Sequence, residues 1–567
     1  MISVLNKKWI ERKVNKNLLE KTKQDFKLND IQSKLIISRN FDDIEISNIY
    51  NNLDITNIFK NNNDFNDAIK HLIRAINNKE NICILGDYDV DGSTATSLLV
   101  RFFNYINQPH FFYIPDREKD GYGASKKLFK KLILKKPKLI IMVDCGSTSN
   151  EAIDFLNLNN IKSLIIDHHE INRPYPKSNV IINPKKNNGY LKYDFLCATT
   201  LTYFFLDILI KKIKSNYELS KYLIFVLLAT VCDVMPIRNI NKIIASNVIR
   251  NFKLKDNTAI KIMCDQIGVN KKLTLVDLGY LIGPIINSGG RLGHSGYATE
   301  LLTTNNVKII KKKSIQLVKL NNKRKEIEKK ILDEIDFEKI KKENKDVIIY
   351  FNNSINEGLI GIIAARLKDY FNKPAIVITN SDNTFKGSAR STTNYNIGRL
   401  IKSLLDKKII VSGGGHNMAA GFTLKKNKIE ELDNYIQKDY SNKIFSYENL
   451  YNFDSEISCS AINKNFINDI DKLGPFGCGN ILPIFLIKNV KIIRSNILNN
   501  KHISSIVKPN VGSSVKSICF NCIDTKIGEY LLSYKKPINI IVEINENIWN
   551  NKKTLQLNIK DLILELN

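Results

Sequence analysis

The sequence predicts an α/β protein: a parallel-sheet core, a long helix leading to a smaller α/β domain, and a C-terminal all-β barrel of the OB type. Three observations predict it. Between residue 81 and about 240, short apolar runs closed by turn signals alternate with helix-length segments, as parallel strands covered on both faces do. From Lys311 to about Lys341 the chain is highly charged but keeps one apolar stripe through Leu320, Ile327, Ile331 and Ile335, which suits a bridging helix. After about residue 445, some five short strands separated by turns fit a small barrel. The expected segments are 1–60, N-terminal and helical; 61–310, the sheet core; 311–342, the bridging helix; 343–442, the second α/β domain; and 443–567, the barrel.

A chain of 567 residues is long enough for several cores, and 43% hydrophobic with 25% charged residues is ordinary for a globular protein. The formal charge of +28 is not ordinary. It favours a polyanionic partner, nucleic acid before membrane, since no lipidation signal or basic amphipathic anchor accompanies it. Lys outnumbers Arg and Asn is abundant, so drift toward Lys, Asn and Ile is a second source of that charge. Nine scattered cysteines fit a reducing cytosol, and the lone Cys519-x-x-Cys522 has no second pair to complete a zinc site. Met1 to Lys13 lacks the apolar core of a signal peptide, and no run is long enough to span a membrane.

Residues 1 to about 60 read as helical, with apolar positions at Leu35, Ile36, Ile46 and Ile49, and Asp67 to Ile76 as a helix before the first strand. The chain is then organised around Asn81 to Ser93. Ile82 to Leu85 is brief, apolar and partly β-branched, hence a buried strand; Asp87, Asp89, Asp91 and Gly92 follow, and then a helical run through Phe103. Alternating Asp residues can aim several oxygens into one small volume, as hard cations require. An Asp-rich turn is the plainer reading. An EF-hand is excluded, because its twelfth position falls on Leu98.

Further strands are expected at Leu139 to Val143, ending in Asp144-Cys145-Gly146-Ser147; at Leu164 to Ile166, ending in Asp167-His168-His169; and at Asn179 to Ile182. Ligands of such sheets gather beyond the carboxyl ends of the strands, where all these acidic and imidazole groups fall. A strongly apolar helix, Tyr222 to Val231, ends near Asp233, whose burial is costly without a partner or a metal. Asp87, Asp89, Asp91, Asp144, His168 and Asp233 thus converge on one sheet edge. Neutral His beside carboxylates favours Mn²⁺, with Mg²⁺ a substitute, and so many donors exceed one ion's needs. Two ions sharing a carboxylate, about 3.5–4 Å apart, are a common apparatus for phosphodiester hydrolysis. His169 is placed either to donate to a phosphate oxygen or as a buried, hydrogen-bonded imidazole.

Asn287 to Ser295 reads as a glycine-rich turn in which Arg291 either meets a phosphate or plays a structural part. In the second α/β unit, strands at Val347 to Phe351 and Ala375 to Thr379 flank a helix at Leu359 to Tyr370. Gly413 to Gly421 reads as a backbone nest opening onto a helix, an anion site, or else as a flexible turn. Without Gly-Lys-Ser/Thr it is no nucleotide P-loop. Leu473 to Asn480 forms a rigid turn into the barrel, whose strands are expected at Lys488 to Ile493, His502 to Val507, Lys516 to Phe520, Ile538 to Ile544 and Thr554 to Ile559.

Asp87-Tyr88-Asp89-Val90-Asp91-Gly92, Asp144-Cys145-Gly146, Asp167-His168-His169 and Asp233 stand in the order of the four motifs of the DHH phosphoesterases. The chain resembles that superfamily and, within it, the RecJ family of bacterial single-stranded-DNA-specific exonucleases. Supporting stretches are Pro115-Asp116-Arg117 with Gly121-Tyr122-Gly123, Glu357 to Gly361, Gly413 to Gly421, and Pro475-Phe476-Gly477. The likeness spans roughly residues 65 to 490. It implies a DHH core, a bridging helix, a DHHA1 domain and an OB-fold around a narrow cleft. It also implies processive 5′-to-3′ removal of nucleotides from single-stranded DNA in recombination and repair.

By motif position the resemblance makes Asp89, Asp91, Asp144, His168 and Asp233 metal ligands for Mn²⁺ or Mg²⁺. Asp87 becomes a further ligand or a supporting group, and Asp167 the group that orients the neighbouring imidazole. Arg291, Arg390 and His416, with Gly414 and Gly415, fall where the family grips the nucleic-acid backbone. A cytoplasmic monomer, with a helicase or single-strand-binding protein as partner, is also implied. Two departures stand out: Leu85 occupies a position where some relatives have His, and Ser288-Gly289 replaces small alanines.

Rival readings are a phosphodiesterase for short oligoribonucleotides or cyclic dinucleotides, a catalytically inactive DNA-binding scaffold, and an inorganic pyrophosphatase. The first is usually shorter or lacks the barrel. The second should have lost its costly carboxylates first, and the third has no use for barrel or positive charge.

Overall fold

The computed structural model describes the chain except residues 50–54, 57, 117–119, 121–122, 189–192, 382, 443–449, 511, 550–551 and 565–567, and except the side chains of 547–549 and 552–553. The described residues form two compact units, one of residues 56–235 and 251–445, the other of residues 1–55, 236–250 and 446–567.

The first unit is built on a five-stranded, wholly parallel sheet. Its order is His110–Tyr113, Ile82–Leu85, Leu139–Val143, Lys162–Ile166, Val180–Ile182. Every residue of Ile82–Leu85 and Leu139–Val143 is buried, which is why these strands read as continuous apolar runs rather than alternating ones. Each fully buried Ile, Leu or Val contributes about 1.5–3 kcal/mol. The His110–Tyr113 edge strand, half-buried and partly aromatic, carries no such signal, and the sequence does not predict it. Helices Val90–Tyr105 and Leu223–Cys232 are buried over most of their length; Asp91 lies in the first turn of the one, and Asp233 directly follows the other.

The bridging helix spans Val307–Glu334, followed by the separate helix Phe337–Glu343. Its stripe is less apolar than expected. Ile331 and Ile335 are buried in a core with Leu359, Ile363 and Leu367, but Leu320 and Ile327 are half-buried, and Arg324 and Glu328 are buried beside them. Arg324 Nη1 donates to Glu328 Oε2 at 2.6 Å and Arg366 Nε to Glu328 Oε1 at 2.7 Å, so this buried carboxylate is fully paired.

The second α/β domain is a mixed sheet ordered Ser412–Gly415, Ala419–Lys425, Thr384–Arg390, Ala375–Ser381, Ile348–Phe351, with helix Ile360–Phe371 connecting the last two, which pair in parallel. Two sequence expectations are corrected here. Gly413 to Gly421 opens onto no helix: it is an antiparallel hairpin with Gly414 opposite Gly421. Burial of Ala420, Phe422 and Leu424 alternates with period two, a pattern the glycines hide. Asn287 to Arg291 is likewise no turn but the end of helix Gly283–Arg291. Its glycines serve close packing, since a Cβ on Gly290 would overlap the Tyr88 ring.

In the second unit, Ile484–Leu498, His502–Pro509, Val515–Cys519, Lys552–Ile563 and Ile538–Trp549 pair in that order, and the last pairs back onto the first, closing a barrel. The N-terminal segment is not all helical. Lys8–Glu11 is a strand, parallel to Leu450–Phe453, and Leu35, Ile36, Ile46 and Ile49 share one core with Val490, Ile503 and Ile540 of the barrel. Cys519 and Cys522 are buried in that same core, with Cys522 Sγ donating to the Cys519 carbonyl at 3.3 Å. Among the described residues, no helix is long and apolar enough to cross a membrane.

Candidate metal centre

The site grows from the carboxyl ends of three adjacent strands. After Ile82–Leu85 the chain turns tightly through Asp87, and Gly92 is required there because a Cβ would overlap the Asp87 backbone. Asp89 caps helix Val90–Tyr105 by accepting from the Gly92 N–H at 3.0 Å. Asp91, the second residue of that helix, accepts from the backbone N–H groups of Ala198 and Thr199, both at 2.7 Å, and so caps helix Ala198–Lys212. Sequence reading missed this second task of Asp91, since nothing in Cys197-Ala198-Thr199 announces a partner.

After Leu139–Val143, Asp144 sits in the left-handed region at φ 61°, a strained geometry that recurs at functional sites. Val234, beside Asp233, has φ 56°, rarer still for a β-branched residue. Beyond Lys162–Ile166, His168 turns inward and is 2% exposed. Its Nε2 lies 3.3 Å from Asp144 Oδ1, 3.4 Å from Asp233 Oδ2 and 3.6 Å from Asp91 Oδ2.

Asp167 turns away from that group. It accepts from the Ser147, His168 and His169 N–H groups and, at 2.8 Å, from His169 Nδ1. The imidazole it orients is therefore His169, whose ring stands 3.8 Å from Asp144 Oδ1.

The electrostatics separate these groups. Burial, then Asp91, Asp89 and Asp87, push Asp144 well above the usual carboxylate range, and burial with Asp91 and Asp89 does the same to Asp233. Asp89 is raised by burial and by Asp91. Burial lowers His168 to about 4, so its ring is neutral. Burial alone would raise Asp167, but His169 outweighs it and holds the carboxyl well below its ordinary range. Burial favours neutral His169, and Asp167 overcomes it, raising the imidazole to about 9.

Three overlapping donor sets fit a cation: Asp87, Asp89 and Asp144; Asp91, His168 and Asp233; and Asp144, His168 and His169, the atoms of each lying within 4.8 Å of one another. The buried Asp144 Oδ1 and Asp233 Oδ2 accept no hydrogen bond. Orphaned carboxylate oxygens around a neutral imidazole are expensive without a cation and suit a borderline-to-hard divalent ion. Leu85 is fully buried in the sheet and contributes nothing to this group.

Of the residues expected to meet nucleic acid, His416 stands beside His169, while Arg291 and Arg390 are fixed by neighbours of their own. Arg291 Nη1 donates to the Gly358 carbonyl at 3.4 Å, and Gly358 is glycine because a Cβ would overlap the Arg291 backbone. Arg390 is held by Ala389 and Ser388, and its guanidinium lies where a Cβ on Gly361 would crowd it. The start of helix Ile360–Phe371, with Gly358 just before it and Gly361 in its first turn, thus packs against both arginines. Gly414 and Gly415 lie in the hairpin strand leading to His416, whose ring stacks near His169 at 6.2 Å between centroids. His416 Nδ1 also approaches Glu170 Oε1 at 3.7 Å, and Glu170 pairs with Lys185 at 3.0 Å. The neighbouring His416 ring and the Lys185 ammonium hold Glu170 at about 2, below its ordinary value. Sequence reading missed Glu170 and Lys185; their only signal was adjacency to His169 and to the Asn183-Pro184 strand end. Arg117, Gly121 and Tyr122 lie outside the described residues.

Residues 81–230 match the model of the DHH family, N-terminal domain; residues 344–442 match the DHHA1 domain and residues 453–561 the RecJ OB domain. The single-stranded-DNA-specific exonuclease RecJ of Bacillus subtilis (strain 168) is 26% identical over 98% of this chain and 70% of its own. The chain belongs to the RecJ family. RecJ of Escherichia coli (strain K12) is 25% identical, covering 85% of this chain and 89% of its own. The crystal structure of RecJ in complex with Mn²⁺ from Thermus thermophilus matches with a TM-score of 0.81 at 18% identity, over 99% of this chain and 80% of that one, a likeness of fold. The RecJ-family arrangement of parallel-sheet core, DHHA1 domain and OB barrel is thus the one the sequence predicts.

Proposed function

We propose that this RecJ-family protein is a metal-dependent exonuclease that hydrolyses phosphodiester bonds of single-stranded DNA from the 5′ end, in recombination and repair. The observation that carries the reading is the pair of buried, unbonded oxygens, Asp144 Oδ1 and Asp233 Oδ2, that flank the neutral His168 ring. Two divalent cations, Mn²⁺ or Mg²⁺, fit the donor sets Asp87, Asp89, Asp144 and Asp91, His168, Asp233, with Asp144 within reach of both. When bound, such cations lower the pKa of water and offset charge on phosphoryl oxygens.

The chain's own groups do the rest. Asp91 fixes its carboxylate by capping helix Ala198–Lys212, and burial keeps a lone pair on His168 at neutral pH. Asp167 accepts from His169 Nδ1 and so turns the opposite ring nitrogen outward, where a protonated imidazole donates to a phosphate oxygen. Arg291 and Arg390 offer planar forks to the strand's phosphates, and the barrel offers a single-strand platform. Action as a monomer, supplied by a helicase or single-strand-binding protein, completes the reading.

The test is a time course on an oligonucleotide labelled separately at each end, with Mn²⁺, Mg²⁺ or EDTA, beside a duplex and an RNA of the same sequence. Metal-dependent release of mononucleotides from the 5′ end of single-stranded DNA supports the reading. Activity confined to short RNA or cyclic dinucleotides, or binding without cleavage, overturns it.

A further inference from the structure

Directly after His168 and His169 comes Glu170, a carboxylate that takes no part in the metal group. It is 60% exposed at its side chain, so water alone would solvate it, yet it is held from two sides. Lys185 Nζ stands 3.0 Å from Oε1, and His416 Nδ1 approaches the same oxygen at 3.7 Å. Lys185 comes from the loop after the Val180–Ile182 strand and His416 from the hairpin of the second α/β domain. The His416 ring in turn lies over His169, which itself stands 3.8 Å from Asp144 Oδ1. A cation and an imidazole from two separate elements thus meet one carboxylate, one ring away from the candidate metal centre.

We propose that Glu170 is a placeholder anion: it occupies the position between Lys185 and His416 that a backbone phosphate of single-stranded DNA takes when the strand enters. A carboxylate and a phosphodiester carry the same unit charge and present two acceptor oxygens, so the two donors bind either one. Lys185 is largely buried, with its side chain 22% exposed, and remains in place after the exchange; Glu170 sits at the rim and swings into solvent. The device keeps the Lys185 charge neutralised between turnovers and makes each binding event an anion exchange. It lowers affinity for the strand and reduces its salt dependence, because Glu170 takes up a counterion as the phosphate sheds one.

This inference rests on the single-strand reading above. The experiment measures equilibrium binding of a fluorescein-labelled single-stranded oligonucleotide in EDTA across a salt series, for the wild type, Glu170→Gln, Lys185→Ala and the double variant. Thermal unfolding runs alongside to confirm that each is folded. Glu170→Gln keeps the shape and removes the charge. It should bind about three- to fivefold tighter, with a log–log salt slope steeper by roughly one unit. Lys185→Ala should cost more affinity in the Glu170→Gln background than in the wild type. A simple latch between domains predicts the reverse: Glu170→Gln binds more weakly, with an unchanged slope. Equal affinities and slopes for wild type and Glu170→Gln, or a Lys185→Ala effect of the same size in both backgrounds, overturn the placeholder alone. Absence of binding by the wild type overturns the functional reading and this one with it.

Discussion

Asp91 and Thr199 hold each other twice. The Thr199 N–H donates to Asp91 Oδ1 at 2.7 Å, and Thr199 Oγ1 donates to the Asp91 carbonyl at 2.9 Å. A residue that sequence motifs mark as a metal ligand is therefore also a structural cap. Its carboxylate is aimed before any ligand arrives.

Asp91→Ala should accordingly destabilise the protein as well as inactivate it. Losing the cap of helix Ala198–Lys212 and leaving two N–H groups unbonded costs about 1–3 kcal/mol. The check is thermal unfolding in EDTA, where the melting point should fall.

Asp144→Asn should do the opposite in EDTA. Burial and the neighbouring carboxylates push Asp144 well above its ordinary value, so its ionised form opposes folding at neutral pH. Asn removes that charge and tolerates the left-handed backbone at φ 61°. The expected gain is about 0.5–2 kcal/mol in metal-free stability, with hydrolysis reduced at least about 100-fold. A lower melting point than wild type would contradict this.

Mn²⁺ should raise the melting point of the wild type and EDTA should reverse the rise. At about 100 times the dissociation constant the linkage is about 2.7 kcal/mol. His168→Ala, which removes the ring facing three carboxylates, should abolish most of the shift. An undiminished shift in that variant would place the ions elsewhere.

Lys242 gives a pH dependence far from the site. It is 1% exposed, its Nζ lies 4.0 Å over the Phe41 ring, and burial lowers it to about 8. Below about 8 it is charged in both folded and unfolded states; between about 8 and 10.5 only the unfolded state carries the proton, so its contribution favours folding as pH rises. Lys242→Met should be more stable than wild type at pH 7, and the difference should shrink by up to about 1.4 kcal/mol per pH unit across that window. Paired melts at several pH values read this directly.

Gly358→Ala should displace Arg291, because the new methyl overlaps the Arg291 backbone. Overpacking of this kind costs about 1–3 kcal/mol, and single-strand binding should weaken with it. A control at Gly414, where a Cβ meets nothing within 4 Å, should be close to neutral for stability.

Much of the site is legible in the sequence because parallel strands place their carboxyl ends together. With Ile82–Leu85, Leu139–Val143 and Lys162–Ile166 as neighbours, Asp87, Asp144 and His168 have to share an edge. Glycine is the poor guide. Gly290 serves close packing on Tyr88, and Gly414 sits in a hairpin strand, while both stand in runs that read as phosphate-binding turns. A residue without a side chain marks close approach and unusual dihedrals alike, so sequence cannot say which is in force.

The sequence by itself determined most of the core strands, the acidic and imidazole groups at their carboxyl ends and the barrel, since apolar periodicity and local spacing carry that information. Only the tertiary structure decided what depends on distant partners. Lys8–Glu11 became a strand because Leu450–Phe453 offered it hydrogen bonds. Asp167 took His169 rather than His168, and Glu170 met a histidine some 250 positions away in His416, because burial and charge pairing are settled by neighbours in space that no local pattern names.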